Sequence, residues 1–264
     1  MIVAADIELI YNRGTAAENH VLRNLNLVLA KGQFVTLIGG NGAGKSSLLN
    51  LLGGILRPDS GRIVMNGEDV TDEPAWKRAA RVARVFQNPA DGTCHSLSIE
   101  ENLALAYGRG RRQFPLRPAV GGKLRKVLRE KLATLGLGLE RRMGDPMGLL
   151  SGGQRQAVSL LMASLQDSNL LLLDEHTSAL DPPTADLVMA LTDRIVEEKG
   201  HTTLMVTHSL RQALQHGSRV VMMRRGQIAL DFTGTEREKL SVRDLMEAFA
   251  DSADEEADGA LFFD

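Results

Sequence analysis

A glycine-rich stretch at residues 39–46 carries the residue types that bind phosphate groups. It reads Gly-Gly-Asn-Gly-Ala-Gly-Lys-Ser and matches the pattern G-x-x-x-x-G-K-[ST]. Glycines leave room for backbone N–H groups to converge on phosphate oxygens, and a helix N-terminus after them adds a favourable dipole. We predict that Lys45 contacts the β- and γ-phosphates of a nucleotide and that the Ser46 hydroxyl binds Mg²⁺. The full set of predicted nucleotide contacts in this stretch is Gly39, Gly40, Asn41, Gly42, Ala43, Gly44, Lys45, Ser46 and Ser47.

Two carboxylates follow a run of four leucines further along the chain. The leucines occupy residues 170–173, and Asp174 and Glu175 come next. Ligands of open α/β sheets bind at the carboxyl ends of the strands. Asp174 is therefore predicted to hold the shell of the Mg²⁺ ion, and Glu175 is predicted to polarise a water molecule toward the γ-phosphorus.

A strand and a helix must position the phosphate-binding loop. The continuous apolar run Phe34–Ile38 comes directly before the loop and is typical of a strand buried on both faces, and helical residues begin at Ser47. Later apolar runs alternate with helical segments, one of which is expected to begin after Asp181 and to end at Gly200. This alternation predicts an α/β fold with a parallel sheet. The later runs are Leu170–Leu173, Thr203–Val206 and Val220–Met223.

The N-terminal part of the chain has a different pattern. Apolar and polar residues alternate over Ile7–Leu9 and Leu25–Leu29, and Asn66-Gly67 is a strong hairpin-turn signal. These features predict antiparallel strands. The middle of the chain is mostly helical, and Ser98 and Glu101 form a capping box at the start of one helix.

Composition excludes several classes of protein. The chain has 264 residues and a formal net charge of −2, which argues against a generally cationic nucleic-acid binder. Cys94 is the only cysteine, so a disulfide framework and a cysteine-based zinc site are both excluded. The first ten residues include Asp6 and Glu8 and do not resemble a signal peptide. Apolar stretches are too short to span a membrane.

Residues 150–154 supply the most specific motif. They read Leu-Ser-Gly-Gly-Gln, and this sequence resembles the signature motif of the ATP-binding subunits of ABC transporters. Ser151 is also expected to be a helix N-cap. The resemblance extends over about residues 1 to 230 and implies a P-loop NTPase with a RecA-like parallel-sheet core, an N-terminal antiparallel β subdomain and an inserted helical subdomain.

Other motifs of that family occur in the expected order. Gln87 resembles the Q-loop glutamine, a ligand of Mg²⁺ and a catalytic residue, and residues 178–181 resemble the D-loop. His208 resembles the catalytic switch histidine. Tyr11 resembles the aromatic residue that stacks on adenine.

The resemblance also implies how the protein works. The cofactors would be ATP and Mg²⁺, and two chains would form an ATP-bound homodimer. In it, the signature residues of one chain would contact the nucleotide of the other: Ser151, Gly152, Gly153 and Gln154. The partners would be integral membrane permease subunits and a solute-binding protein, and no nucleic acid would be bound. The chain would lie peripherally on the cytoplasmic side of the cell membrane.

Three positions depart from the family pattern. His176 replaces a usual proline, and Gly40 and Ser47 replace frequent proline and threonine residues. None of these changes removes a ligating group.

The sequence Asp-Glu-His-Thr at residues 174–177 resembles uptake ATPases for amino-acid-type solutes. Two alternatives remain open: a soluble ATPase of the same family that acts on nucleic acid or ribosomes, and a binding subunit without catalysis.

Domain boundaries follow from the same motifs. We expect a β subdomain and the start of the ATP-binding core at 1–89, and a helical subdomain that ends with the signature at 90–155. The rest of the core is expected at 156–232 and an acidic tail at 233–264. Together they would form one ABC transporter domain over about 1–240.

Overall fold

The computed structural model describes residues 1–109 and 121–251. These residues form two compact units, of which the second is Ala79–Lys199 and the first contains the remaining described residues. The end of the predicted acidic tail, residues 252–264, lies outside the described residues. The domain boundaries at residues 89, 155 and 232 stay predictions.

The strands agree with the apolar and alternating patterns of the sequence. In chain order they are β1 (Ile2–Tyr11), β2 (Asn19–Leu29), β3 (Phe34–Ile38), β4 (Ser60–Met65), β5 (Glu68–Asp69), β6 (Val82–Val85), β7 (Leu170–Asp174), β8 (Thr203–Val206), β9 (Arg219–Arg224) and β10 (Gln227–Thr233).

The helices include those predicted to begin after Ser98, Ser151 and Asp181, and the last of these ends before Gly200 as predicted. In chain order they are α1 (Lys45–Leu52), α2 (Ala75–Arg78), α3 (Ile99–Gly108), α4 (Gly122–Ala133), α5 (Gly152–Ser164), α6 (Pro182–Lys199), α7 (Leu210–Gln215), α8 (Gly234–Lys239) and α9 (Val242–Asp251). Among the described residues, no helix is both long enough and apolar enough to cross a bilayer.

The first unit contains an antiparallel sheet with the strand order β2-β1-β4-β5. Residues on the inner face of its strands are buried, as the alternating pattern predicts. Asn66 and Gly67 both have positive φ angles, of 52° and 85°, in the turn between β4 and β5. The predicted hairpin is therefore confirmed, because such a turn needs residues that accept this conformation.

The first unit also contains the strands that frame the phosphate-binding loop. Strand β3 pairs in parallel with β8 on one side and with β9 on the other, with Leu37 opposite Val206 and Val221. All five residues of β3 are buried. Helices α7 and α9 contribute Leu210 and Leu245 to the apolar cluster beside these strands. The prediction of a central, doubly buried strand directly before the loop is confirmed.

The second unit contains two strands and a group of helices. Strands β6 and β7 pair in parallel, from Val82 opposite Leu170 to Val85 opposite Leu173. Helix α3 begins with the predicted capping box, in which Ser98 Oγ accepts a hydrogen bond from the Glu101 N–H. Hydrogen bonds to the Glu101 carboxylate from the Ser98 backbone and hydroxyl lower the pKa of that carboxyl.

Candidate functional site

The phosphate-binding loop lies between β3 and α1 in the first unit. Gly44 has a φ angle of 99°, and a Cβ atom added there would lie 2.7 Å from Leu22 Cδ2. The backbone conformation favours glycine at this position, and a Cβ atom would also crowd the Val21 carbonyl oxygen at 3.1 Å. Gly44 also provides no side-chain cap for α1. The uncapped helix start is therefore suited to an anion.

Lys45 lies over this loop. Its Nζ atom donates hydrogen bonds to the carbonyl oxygens of Gly39 at 2.7 Å and of Gly40 at 3.0 Å, and the residue is buried. These two bonds fix the ammonium group at the loop, where a phosphate can meet it. The neighbouring Ser46 is exposed in the first turn of α1.

Tyr11 is the last residue of β1 and lies beside the same helix. Its hydroxyl is 3.2 Å from Ser47 Oγ, and the residue remains 36% exposed. An exposed aromatic ring next to the phosphate-binding loop is available for stacking. Its contact with adenine stays a prediction.

His208 lies two residues after the end of β8. Ser209 comes next and caps α7, with its Oγ atom accepting a hydrogen bond from the Gln212 N–H. His208 is half-buried at this strand end. The strand and the capped helix together fix its position in the first unit, while its catalytic role stays a prediction.

In the second unit, Asp174 ends the buried strand β7 and forms an ion pair that the sequence analysis did not find. Arg84 Nη2 lies 2.5 Å from Asp174 Oδ2, and the side chains are only 13% and 15% exposed. The guanidinium carbon also lies 4.8 Å from the centroid of the Phe86 ring. A charged residue inside the apolar strand Val82–Val85 is the signal that could have identified Arg84.

Glu175 has an unusual backbone conformation. Its φ angle is 45°, which is uncommon for a residue other than glycine and is frequent at functional sites. Ser178 Oγ donates a hydrogen bond to the Glu175 carbonyl oxygen at 2.9 Å, and Gln87 Nε2 donates to Ser178 Oγ at 3.2 Å. The structure thus brings the predicted residues Gln87 and Glu175 together through Ser178.

The signature residues begin helix α5. Ser151 Oγ accepts a hydrogen bond from the Gln154 N–H, and Gln154 Oε1 accepts one from the Ser151 N–H, each at 3.2 Å. The predicted N-cap is therefore confirmed. Ser151 and Gly152 are exposed, whereas Gly153 is buried. A Cβ atom on Gly153 would lie only 2.0 Å from Thr184 Cγ2, so the close contact between α5 and α6 already requires this glycine.

Helix α5 is also tied to the segment that carries Gln87. Gln156 Nε2 donates a hydrogen bond to the Phe86 carbonyl oxygen at 3.0 Å. Arg155 Nη2 donates to the carbonyl oxygens of Gly148 and Leu150, in the turn before the signature. The signature and the Gln87 segment are therefore connected within one compact unit.

Comparisons with known proteins identify the family. A protein-family model described as ABC transporter matches residues 22–178, more than half of the chain. The chain belongs to the ABC transporter ATPases. The predicted P-loop NTPase fold is thereby confirmed, and this ATPase hydrolyses ATP as members of its family do.

The relatives include transport proteins and a nucleotide-bound cassette. A tyrosine transport ATP-binding protein of Clostridioides difficile (strain R20291) is 43% identical over 88% of this chain and 91% of its own length. A taurine import ATP-binding protein of Pelagibacter ubique (strain HTCC1062) is 33% identical over 84% of this chain and 78% of its own length. Among solved structures, the dimeric ATP-binding cassette MJ0796 in a post-hydrolysis state with ADP and Pi is 28% identical. It has a TM-score of 0.75, over 88% of this chain and 98% of that one.

The residues predicted to hold Mg²⁺ have suitable donors. Ser46, Gln87 and Asp174 offer a hydroxyl, an amide oxygen and a carboxylate, which are the oxygen ligands that this ion prefers. In Gln87 the amide nitrogen bonds Ser178, so the amide oxygen is the end left for a metal shell. Within residues 1–109 and 121–251, no group of three or more His, Cys, Asp or Glu residues forms a separate metal site.

Proposed function

We propose that this ATPase powers the uptake of an amino-acid-type solute. The observation that carries the proposal is the 43% identity to a tyrosine transport ATP-binding protein across 91% of that protein. The Asp-Glu-His-Thr sequence at residues 174–177 supports the same assignment. The ATPase would act from the cytoplasmic face of the cell membrane, bound peripherally to integral permease subunits. A solute-binding protein would deliver the solute, and no nucleic acid would take part.

The phosphate-binding loop and the two carboxylates at the end of β7 would both take part in ATP hydrolysis. Backbone N–H groups of residues 39–47 and the Lys45 ammonium would hold the phosphates, and Tyr11 would stack on the adenine. Mg²⁺, when bound by Ser46, Gln87 and Asp174, would neutralise phosphate charge.

The remaining catalytic side chains would act on the water and the γ-phosphate. Glu175 would orient the attacking water and accept its proton, and His208 would contact the γ-phosphate. The left-handed conformation of Glu175 and its hydrogen-bonded connection to Gln87 support these roles.

The signature would act on the nucleotide of a second chain in an ATP-bound homodimer. Ser151 Oγ accepts a hydrogen bond from Gln154 N–H and keeps its own proton, so the hydroxyl can still donate to a phosphate oxygen. Helix α5 adds its N-terminal dipole. The exposure of Ser151 and Gly152 supports a contact with another molecule, and Gly153 and Gln154 would complete the loop.

Uptake by reconstituted vesicles tests the proposal. The ATPase is assembled with its permease in proteoliposomes, and entry of radiolabelled tyrosine, phenylalanine, tryptophan, taurine and spermidine is measured with and without ATP. ATP-dependent entry of an aromatic amino acid, lost in Lys45→Ala, is the expected result. Entry of taurine or spermidine alone would contradict the solute class. Stimulation of ATP hydrolysis by ribosomes or nucleic acid, without the permease, would favour the alternative of a soluble ATPase.

A further inference from the structure

Arg84 and Asp174 form an ion pair at the carboxylate assigned to Mg²⁺. We propose that Arg84 is the resident counter-cation of Asp174, that it competes with Mg²⁺ for this carboxylate, and that it thereby limits how strongly Mg²⁺ tightens nucleotide binding. The inference rests on the assignment of Asp174 to the metal in the proposed function.

Burial explains why Asp174 needs a counter-cation before the metal arrives. The carboxylate is only 15% exposed at the end of a strand whose other residues are fully buried. An ionised carboxylate in such a place is costly unless a cation or hydrogen-bond donors compensate it. The Arg84 guanidinium does so at 2.5 Å. Asp174 can thus stay ionised and in place in the metal-free protein.

The surroundings fix Arg84 as well. It extends from β6 at the position opposite Leu172, and the Phe86 ring lies against its guanidinium group at 4.8 Å. A planar cation held against an aromatic face has little freedom to turn away. Its charge therefore remains close to Asp174 when Mg²⁺ binds, and the two cations repel each other.

A purely structural role for the ion pair is less consistent with the contacts. Backbone pairing already joins β6 to β7 at four consecutive positions, from Val82–Leu170 to Val85–Leu173. The two strands do not need a side-chain ion pair to stay together. Arg84 also bonds Oδ2, which leaves the second carboxylate oxygen as the atom that can face the metal shell.

Nucleotide affinity with and without metal measures the competition. The dissociation constant for ADP is determined by calorimetry in EDTA and in saturating Mg²⁺, and the ratio of the two values gives the enhancement by Mg²⁺. Mg²⁺ and ADP change each other's affinity by the same factor, so a change in how Mg²⁺ binds beside the nucleotide appears in the affinity for ADP. Arg84→Met removes the charge that competes with Mg²⁺ and should raise the enhancement roughly tenfold. Arg84→Lys keeps the charge and should change the enhancement by less than about twofold. Arg142→Met removes a half-exposed ion pair with Asp145 and should leave it unchanged.

The enhancement by Mg²⁺ in the Arg84 variants shows whether Arg84 competes with the ion for Asp174. An enhancement in Arg84→Met that equals or falls below the wild-type value would overturn the competition. If Arg84→Met does not fold, Arg84→Gln tests the same loss of charge. If neither uncharged variant folds, a rise of tenfold in Arg84→Lys would overturn the proposal, because the charge is still present.

A second variant separates this inference from the proposed function. Asp174→Asn should reduce the enhancement by Mg²⁺, and Arg84→Met should then have no further effect on it. If Asp174→Asn leaves the enhancement unchanged, the assignment of the metal to Asp174 fails and the role of Arg84 fails with it. If Asp174→Asn has the expected effect but Arg84→Met alone does not, only the role of Arg84 fails.

Discussion

His176 Nε2 lies 3.0 Å from Thr192 Oγ1, and this hydrogen bond ties the residue after Glu175 to the middle of α6. Both residues are buried. The Thr192 hydroxyl donates to the Val188 carbonyl oxygen at 2.9 Å, so it accepts from the histidine, whose Nε2 carries the proton. This hydrogen bond fixes the chain directly after Glu175 to α6.

Removal of the threonine hydroxyl should therefore destabilise the protein. Thr192→Val keeps the shape of the side chain but takes away the acceptor for a buried imidazole N–H, which costs about 1–3 kcal/mol. Chemical denaturation measures the free energy of unfolding. Thr134→Val, at an exposed position, serves as control and should cost less than about 0.5 kcal/mol. Equal losses in the two variants would contradict the importance of this hydrogen bond.

Glu175→Gln should almost abolish ATP hydrolysis and preserve ATP binding. Glutamine has the same shape but cannot accept a proton from the attacking water, so kcat should fall by roughly 10²–10⁴-fold. The variant should elute as an ATP-bound dimer in size-exclusion chromatography. Glu197→Gln, on the exposed side of α6, should keep normal turnover. Near-normal hydrolysis by Glu175→Gln would exclude Glu175 as the base.

Gly153→Ala should be destabilising for a reason that does not involve nucleotide. The new methyl group would overlap Thr184 Cγ2, and overpacking of this kind costs about 1–3 kcal/mol. Thr184→Ser removes that methyl group and keeps the hydroxyl that bonds Asp181. The double variant should regain most of the lost free energy of unfolding, whereas Gly152→Ala has room and should be close to neutral. Without recovery in the double variant, contact between α5 and α6 would not explain Gly153.

Local patterns predicted much of this structure. The strand Phe34–Ile38 is buried on both faces, so four of its five residues are apolar, and the pattern is visible in one short window. The capping box of Ser98 and the N-cap of Ser151 each depend on residues within one turn of the helix start. Such signals need no knowledge of the remaining chain.

Contacts between distant residues could not be predicted in the same way. Arg84 and Asp174 are 90 positions apart, and the sequence shows only that a charge interrupts an apolar strand. The overlap that makes Gly153 necessary depends on Thr184 in another helix. Partners of this kind are fixed by the packing of elements, which single-chain patterns do not contain.

The segment at residues 87–107 leads from the predicted Q-loop glutamine into helix α3, and we expect it to contact the permease. Cys94 lies in this segment and provides a probe for the contact. Buried Asn102 holds the Cys94 backbone through hydrogen bonds to its N–H at 2.8 Å and its carbonyl oxygen at 3.0 Å, and the residue itself is exposed. Maleimide labelling of Cys94 should slow when the permease binds. In a Cys94→Ser background, Glu18→Cys at an exposed site should label at the same rate with and without permease. Unchanged labelling of Cys94 would exclude the part of this segment around Cys94 from the contact with the permease.

The signature of one chain should act on the nucleotide bound by the other chain. Ser151→Arg should block closure of the dimer, because it places bulk and a flexible side chain where a phosphate of the second chain's nucleotide must lie. It should leave ATP affinity of the monomer largely intact, because Lys45 and its loop are unchanged. Calorimetry measures the affinity, and size-exclusion chromatography with ATP measures closure. Glu197→Arg, at an exposed position of α6, should close normally.

A mixture of Ser151→Arg chains with Lys45→Ala chains separates action on the partner from action within one chain. If the signature serves the partner, the mixed dimer has one intact site, built from the normal Lys45 of the first chain and the normal Ser151 of the second. If it serves its own chain, each chain carries a lesion in its only site and neither site is whole. Two different affinity tags allow the mixed dimer to be isolated, and the expected result is ATP-dependent recovery of both tags together. Failure to recover it, with both chains folded and in equal amounts, would show that Ser151 does not complete the partner's site.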